Sequence, residues 1–127
     1  MASPVEVSVI IVSYNTRAMT LECLASVRRE TTAAHELIVI DNSSTDGSAD
    51  AIPAADPEAV FIASRDNVGF GRANNMAARR ARGRYLLLLN PDTVVTDGAV
   101  DRLLAFARSR PEARIWGGRT IYANGRL

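Results

Sequence analysis

The chain predicts an α/β domain built on a mostly parallel sheet, and three observations carry that expectation. Short apolar runs of strand length alternate with stretches of helical periodicity along all 127 residues. Three of the runs end in oxygen-rich side chains: Ser13-Tyr14-Asn15, Asp41-Asn42 and Asn90-Pro91-Asp92. No internal repeat or low-complexity linker interrupts the alternation, so one compact core accounts for the length.

Residues 7–13 form the first expected strand, and Thr16 is placed to cap a helix in which Leu21, Leu24 and Val27 share one side. Residues 36–41 give the second strand. The polar turn Ser43-Ser44-Thr45-Asp46-Gly47 leads into a short helix that must stop near Pro53 and Pro57. Residues 60–63 are the third strand. A helix is expected from Gly69, with Phe70, Ala73, Ala77 and Ala81 on one face small enough to lie close on a sheet, and with Gly83 as its stop.

The run 85–89 carries four leucines and reads as a strand buried on both faces. Residues 97–109 follow as a surface helix with Val100, Leu103, Leu104 and Ala107 inward and Asp97 and Asp101 at its positive amino end. Arg108 and Arg110 suit its carboxyl end. Residues 113–116 are expected as a fifth strand, and residues 121–127 as a hairpin opening at Asn124-Gly125. Because no second arm follows that turn, the chain is expected to be the amino-terminal part of something longer. The unpaired edge near Ile121 and Tyr122 predicts homo-oligomers.

Composition excludes several classes. The formal charge of +1 gives no bulk attraction for nucleic acid, and all fifteen basic residues are arginine. The cluster Arg79, Arg80, Arg82 and Arg84 lacks interleaved aromatics and reads as a solvated helix end. Cys23, the single cysteine, excludes an internal disulfide and reads as a small buried side chain in a reducing compartment. No apolar stretch approaches the roughly 20 residues of a membrane span, and the first six residues lack leader features. The expected location is the cytoplasm, the inner face of the membrane included. His35, the sole histidine, has no partner at metal-ligand spacing and is expected to be solvated in a loop.

In a parallel sheet, ligands sit outside the carboxyl ends of the strands, where the strand order reverses. An order 3-2-1-4 would bring the three polar clusters into one crevice. Asp92 offers the oxygen ligand that Mg²⁺ or Mn²⁺ takes, since these ions are held by one or two carboxylates completed by substrate phosphates. Alternatively, Asn90-Pro91-Asp92 simply turns the chain before a helix. Gly69 and Gly71 begin a helix whose amino end favours anions, but the dinucleotide fingerprint needs three glycines directly after the first strand. A hydride-transferring Rossmann enzyme is therefore excluded. Asp46 reads as structural, capping the short helix.

Taken together, residues 9–15 (Val-Ile-Ile-Val-Ser-Tyr-Asn), 37–48, 67–75 and 86–95 resemble the family 2 glycosyltransferases in order and spacing, closest to their rhamnosyltransferase-like branch. The resemblance implies a GT-A fold, a Rossmann-like three-layer α/β/α sandwich incomplete at its carboxyl end. It makes residues 1–127 the amino-terminal nucleotide-sugar-binding part of a single domain. Val12, Ser13 and Tyr14, followed by Asn15, would cradle the base and ribose. Asp41 would accept the ring N–H of the base. Asn67, Gly71, Arg72 and Asn75 would flank the nucleotide sugar.

The family's Asp-X-Asp motif falls on Asn90-Pro91-Asp92. Asn90 would then bond a ribose or sugar hydroxyl, and Asp92 would hold the divalent cation. The implied reaction is inverting transfer from a UDP-, GDP- or dTDP-sugar, with dTDP-rhamnose among the candidates, to a glycan or lipid-linked acceptor. The catalytic base is expected beyond Leu127, so the isolated chain should bind donor without transferring it. The other reading is a truncated or non-catalytic nucleotide-sugar-binding module.

Overall fold

The structure, a computed structural model, describes residues 4–127. Residues 1–3, the start of the stretch read above for a leader, lie outside the described residues. Eight elements follow in strict alternation: β1 (Val7–Ser13), α1 (Arg17–Glu30), β2 (His35–Asp41), α2 (Ser48–Ala55), β3 (Val60–Ala63), α3 (Phe70–Ala78), β4 (Tyr85–Leu88) and α4 (Ala99–Ser109). All strand pairs are parallel, and the order is β3-β2-β1-β4. Register pairs Val7 with both His35 and Tyr85, so β1, β2 and β4 start level, while β3 begins opposite Ile38.

That order explains the three layers. Right-handed crossovers carry the chain outward from β1 to β3 with α1 and α2 on one face, and the return from β3 to β4 puts α3 on the other. Val7, Val9, Ile11, Leu37 and Val39 meet Cys23, Leu24 and Val27 of α1, Ile52 of α2 and Leu104 of α4 in one core. Ile10, Val12, Ile38 and Ile40 point the opposite way and meet Ala73 and Ala77 of α3. β1 and β2 are thus apolar on both sides because both faces are covered.

β4 departs from the expected pattern. Tyr85 and Leu87 are half-buried toward α4, whereas Leu86 and Leu88 are 52% and 55% exposed. β4 lies at the sheet edge and α3 covers β1 and β2, so nothing among the described residues shields that face of β4. The expected fifth strand at 113–116 is absent. Pro111 and the pair Gly117-Gly118 leave too short a run between them, and Ile115 stands 90% exposed. Trp116 instead packs edge-on against Tyr85, with ring centroids 5.8 Å apart, and closes an apolar cavity of about 60 Å³ between β4 and α4. At 121–127 only the turn forms: Tyr122 N–H donates to Arg126 O, Gly125 N–H donates to Tyr122 O, and no strand flanks them.

Four smaller expectations also change. Gly83 does not stop α3, which ends at Ala78; it sits against β1, where a Cβ would lie 2.5 Å from the Ser8 nitrogen. Phe70 is 58% exposed at the start of α3 rather than in the core. His35 begins β2 half-buried, its Nδ1–H donating to Ala33 O and its Nε2 lying 3.5 Å from Arg28. Arg82 does not merely decorate a helix end: its backbone N–H and guanidinium both bind the buried Glu36, whose other donor is the Ser8 hydroxyl. Burial pushes the Glu36 carboxyl up, but these donors outweigh it and hold it below its ordinary value.

Candidate functional site at the strand ends

The strand order reverses between β1 and β4, and the polar clusters that end β1, β2 and β4 flank that point at the carboxyl edge. Two interlocked loops meet there. Asn15, at φ 51, donates its N–H to Ser44 Oγ and accepts Thr45 N–H on its side-chain oxygen. Asp41 accepts Ser44 N–H at 2.9 Å on one oxygen and the Ser44 hydroxyl at 2.6 Å on the other. Ser43 follows at φ 70. Among the described residues three non-glycine residues have positive φ, these two and Asp97 before α4; Asn tolerates that backbone, so Ser43 carries most of the cost here.

Asp46 accepts Arg17 N–H on one oxygen and Ser48 N–H and hydroxyl on the other, so one carboxylate caps the first turns of both α1 and α2. The bond from the Ser48 hydroxyl is the largest cause that holds its carboxyl below the ordinary value. Its structural role was legible, but its reach to α1 was not. Thr16 makes no cap bond; its hydroxyl pairs with Thr20 and Ser13 instead.

The predicted residues divide by what their side chains can reach. Val12 is packed into the α3-side core, and the Ser13 hydroxyl is buried against Thr20, so either could meet a ligand only through its backbone. Tyr14 and Asn15 reach the surface. Asp41 is 2% exposed with one bond on each oxygen, which leaves a lone pair on each for a further donor. On the far side, Asn67 Oδ1 accepts Gly69 N–H and sets Gly69 at φ 86. Gly71 has open space where a Cβ would be, and Arg72 and Asn75 are exposed.

Sequence reasoning counted Asn42 among the polar strand ends but gave it no role of its own. It is buried, its Oδ1 accepts Val68 N–H at 2.9 Å, and its Nδ2 donates to Gly69 O at 3.2 Å. One amide thereby pins the start of α3 to the end of β2. Its place beside Asp41 was the only available signal.

At the end of β4, Pro91 and Asp92 occupy the middle of a turn closed by Thr93 N–H and Thr93 Oγ1, both donating to Asn90 O. The side chains of Asn90 and Asp92 are exposed. Beneath them, burial pushes the Cys23 thiol above its ordinary value; the Asp92 charge adds to this and the Thr93 bond opposes it. Among the described residues no cluster of three or more His, Cys, Asp or Glu could hold a metal ion alone. A single exposed carboxylate beside an amide fits Mg²⁺ or Mn²⁺ only when phosphate oxygens and water complete the shell.

Comparison with known proteins agrees with this architecture. GlyG of Streptococcus pneumoniae is 28% identical over 100 residues, 76% of this chain and 33% of GlyG. The teichuronic acid biosynthesis glycosyltransferase TuaG of Bacillus subtilis is 31% identical over 120 residues, 92% of this chain and 48% of TuaG. The chain therefore spans between a third and half of these relatives. Among solved structures, S. aureus TarS superposes with a TM-score of 0.73 at 22% identity over 84% of this chain and 33% of its own. The mannosyltransferase PcManGT of Pyrobaculum calidifontis, in complex with GDP-Man and Mn²⁺, gives 0.67 at 24% over 76% of this chain and 32% of its own. These likenesses establish the GT-A fold. A profile described as Glycosyl transferase family 2 matches residues 8–126, and by that match over nearly its whole length this chain belongs to glycosyl transferase family 2.

Proposed function

We propose that this chain forms the donor site of an inverting glycosyltransferase, binding a nucleoside-diphosphate sugar with a divalent cation at the carboxyl edge of its sheet. The carrying observation is Asp92: it lies exposed at the strand-order reversal while Asp41 and Asp46 nearby are committed to hydrogen bonds within the protein. Solved structures of TarS with UDP and with UDP-GlcNAc support the ligand class, as does PcManGT with GDP-Man and Mn²⁺.

The base and ribose would lie over Tyr14 and Asn15, with Asp41 accepting a ring N–H of a pyrimidine base. Arg72 and Asn75 would approach the sugar diphosphate beside the open surface at Gly71, and Asn90 would bond a ribose or sugar hydroxyl. Asp92 would hold the Mg²⁺ or Mn²⁺, which supplies charge neutralisation for the departing diphosphate. Inversion further requires a carboxylate opposite the leaving group to deprotonate the acceptor hydroxyl of a glycan or lipid-linked substrate. Asp41 is assigned to the nucleotide base, Asp46 is held by donors from both α1 and α2, and Asp92 is assigned to the cation, so none of the three serves as that base.

The test is thermal unfolding with UDP, GDP or dTDP, each with and without Mn²⁺. A nucleotide at a hundredfold its dissociation constant adds about 2.7 kcal/mol of stability, and a metal-dependent rise in Tm is the expected result. No shift with any nucleoside diphosphate would overturn the donor site. Donor binding without transfer to an added acceptor is expected of this chain, whereas rapid transfer would make Asp46 or Asp97 the base to reconsider.

A further inference from the structure

We infer that one stripe of α1, Cys23-Ser26-Glu30, together with Thr93, positions the Asp92 turn for its cation, making Ser26 and Thr93 positioning residues of the metal site. This rests on Asp92 being the ligand. The stripe has helical spacing, and each of its members bonds the segment 90–98. The Cys23 thiol donates to Asn90 O at 3.7 Å. Ser26 Oγ, fully buried, donates to Cys23 O and accepts Val95 N–H at 2.9 Å. Glu30 accepts Gly98 N–H at 3.3 Å.

Thr93 completes the clamp by donating its hydroxyl to Asn90 O at 2.7 Å, so that carbonyl gathers bonds from Thr93 N–H, Thr93 Oγ1 and Cys23 Sγ. The consequence is mechanical. Asp92 lies between two fixed points, the Asn90 carbonyl and the Val95 amide, while its own side chain is unengaged. A lone carboxylate on an exposed turn loses conformational freedom when it takes a cation, and groups that orient a metal ligand commonly change metal affinity 10–100-fold when removed. Ser26 and Thr93 touch neither cation nor nucleotide; they act through the backbone that carries Asp92.

The experiment titrates Mn²⁺ into the full chain with UDP present, following free Mn²⁺ by electron paramagnetic resonance. Thr93→Val keeps the shape of the half-buried side chain but removes its hydroxyl, and about tenfold weaker Mn²⁺ binding is expected. Thr93→Ser should restore binding to within about twofold of wild type, since the hydroxyl returns. Ser26→Ala adds an independent readout: faster hydrogen exchange at the Val95 amide together with weaker Mn²⁺ binding. Wild-type Mn²⁺ affinity in Thr93→Val, or equal losses in Thr93→Val and Thr93→Ser, would overturn the inference alone. Absence of Mn²⁺ binding by the wild type, or binding that survives Asp92→Ala, would overturn the reading of Asp92 and the inference with it.

Discussion

Removing Asn42 tests how the donor site is assembled, because its side chain is the bidentate link between the end of β2 and the start of α3. Asn42→Ala strips both bonds and leaves the half-buried Val68 N–H without its acceptor, while the Gly69 carbonyl is exposed and can turn to water. An unsatisfied buried donor costs about 1–3 kcal/mol, and the side chain's own packing adds to that, so a loss of about 2 kcal/mol is expected. With a urea m-value of about 1–3 kcal/mol per molar for a domain of this size, the denaturation midpoint should fall by about 1 M. Asn42→Asp keeps the acceptor for Val68 but turns a carboxylate oxygen toward the Gly69 carbonyl, so it should also destabilise. In both variants UDP binding, measured by calorimetry, should weaken beyond what unfolded protein accounts for, since Gly71 and Arg72 ride on the same helix. Unchanged midpoints would refute the clamp, and lowered midpoints with wild-type affinity of the folded fraction would refute its link to the donor site.

Four further outcomes are expected. Asp92→Ala should abolish the Mn²⁺-dependent part of the nucleotide thermal shift while Asn90→Ala only weakens it; equal losses would make Asn90 a ligand as well. Gly83→Ala would set a Cβ 2.5 Å from the Ser8 nitrogen and 2.6 Å from its hydroxyl, so the backbone must move and chemical denaturation should show a loss of about 1–3 kcal/mol; a neutral change would disprove that contact. For Asp101, burial raises the carboxyl, but the N–H groups of Thr32 and Ala33 and the Thr32 hydroxyl outweigh it and hold it below its ordinary value. Its stabilisation is therefore present above the unfolded value of about 3.9 and lost as pH falls through the folded one, so Asp101→Asn should flatten the acid limb of the stability profile. Finally, the uncovered Leu86 and Leu88 on an edge strand favour self-association, which sedimentation at rising concentration should reveal and a constant monomer mass would contradict.

The sequence by itself determined the alternation of elements as far as α4, their parallel pairing and the polar residues that follow β1, β2 and β4, because apolar periodicity and turn chemistry are local. It also singled out Asp92 and Asp41 as candidates, since acids directly after buried apolar runs in a parallel sheet stand where ligands bind. The family was legible for the same reason: short motifs at strand ends survive as spacing. Tertiary structure alone decided which faces were covered. Leu86 and Leu88 read as core, yet burial depends on whether another element packs there, and β4 lies at an edge. It alone joined Asn42 to Val68, Asp46 to Arg17 and Ser26 to Val95, pairs separated by 26, 29 and 69 residues. Such bonds exist only after the strands have aligned, because no local pattern names the partner of a buried polar side chain.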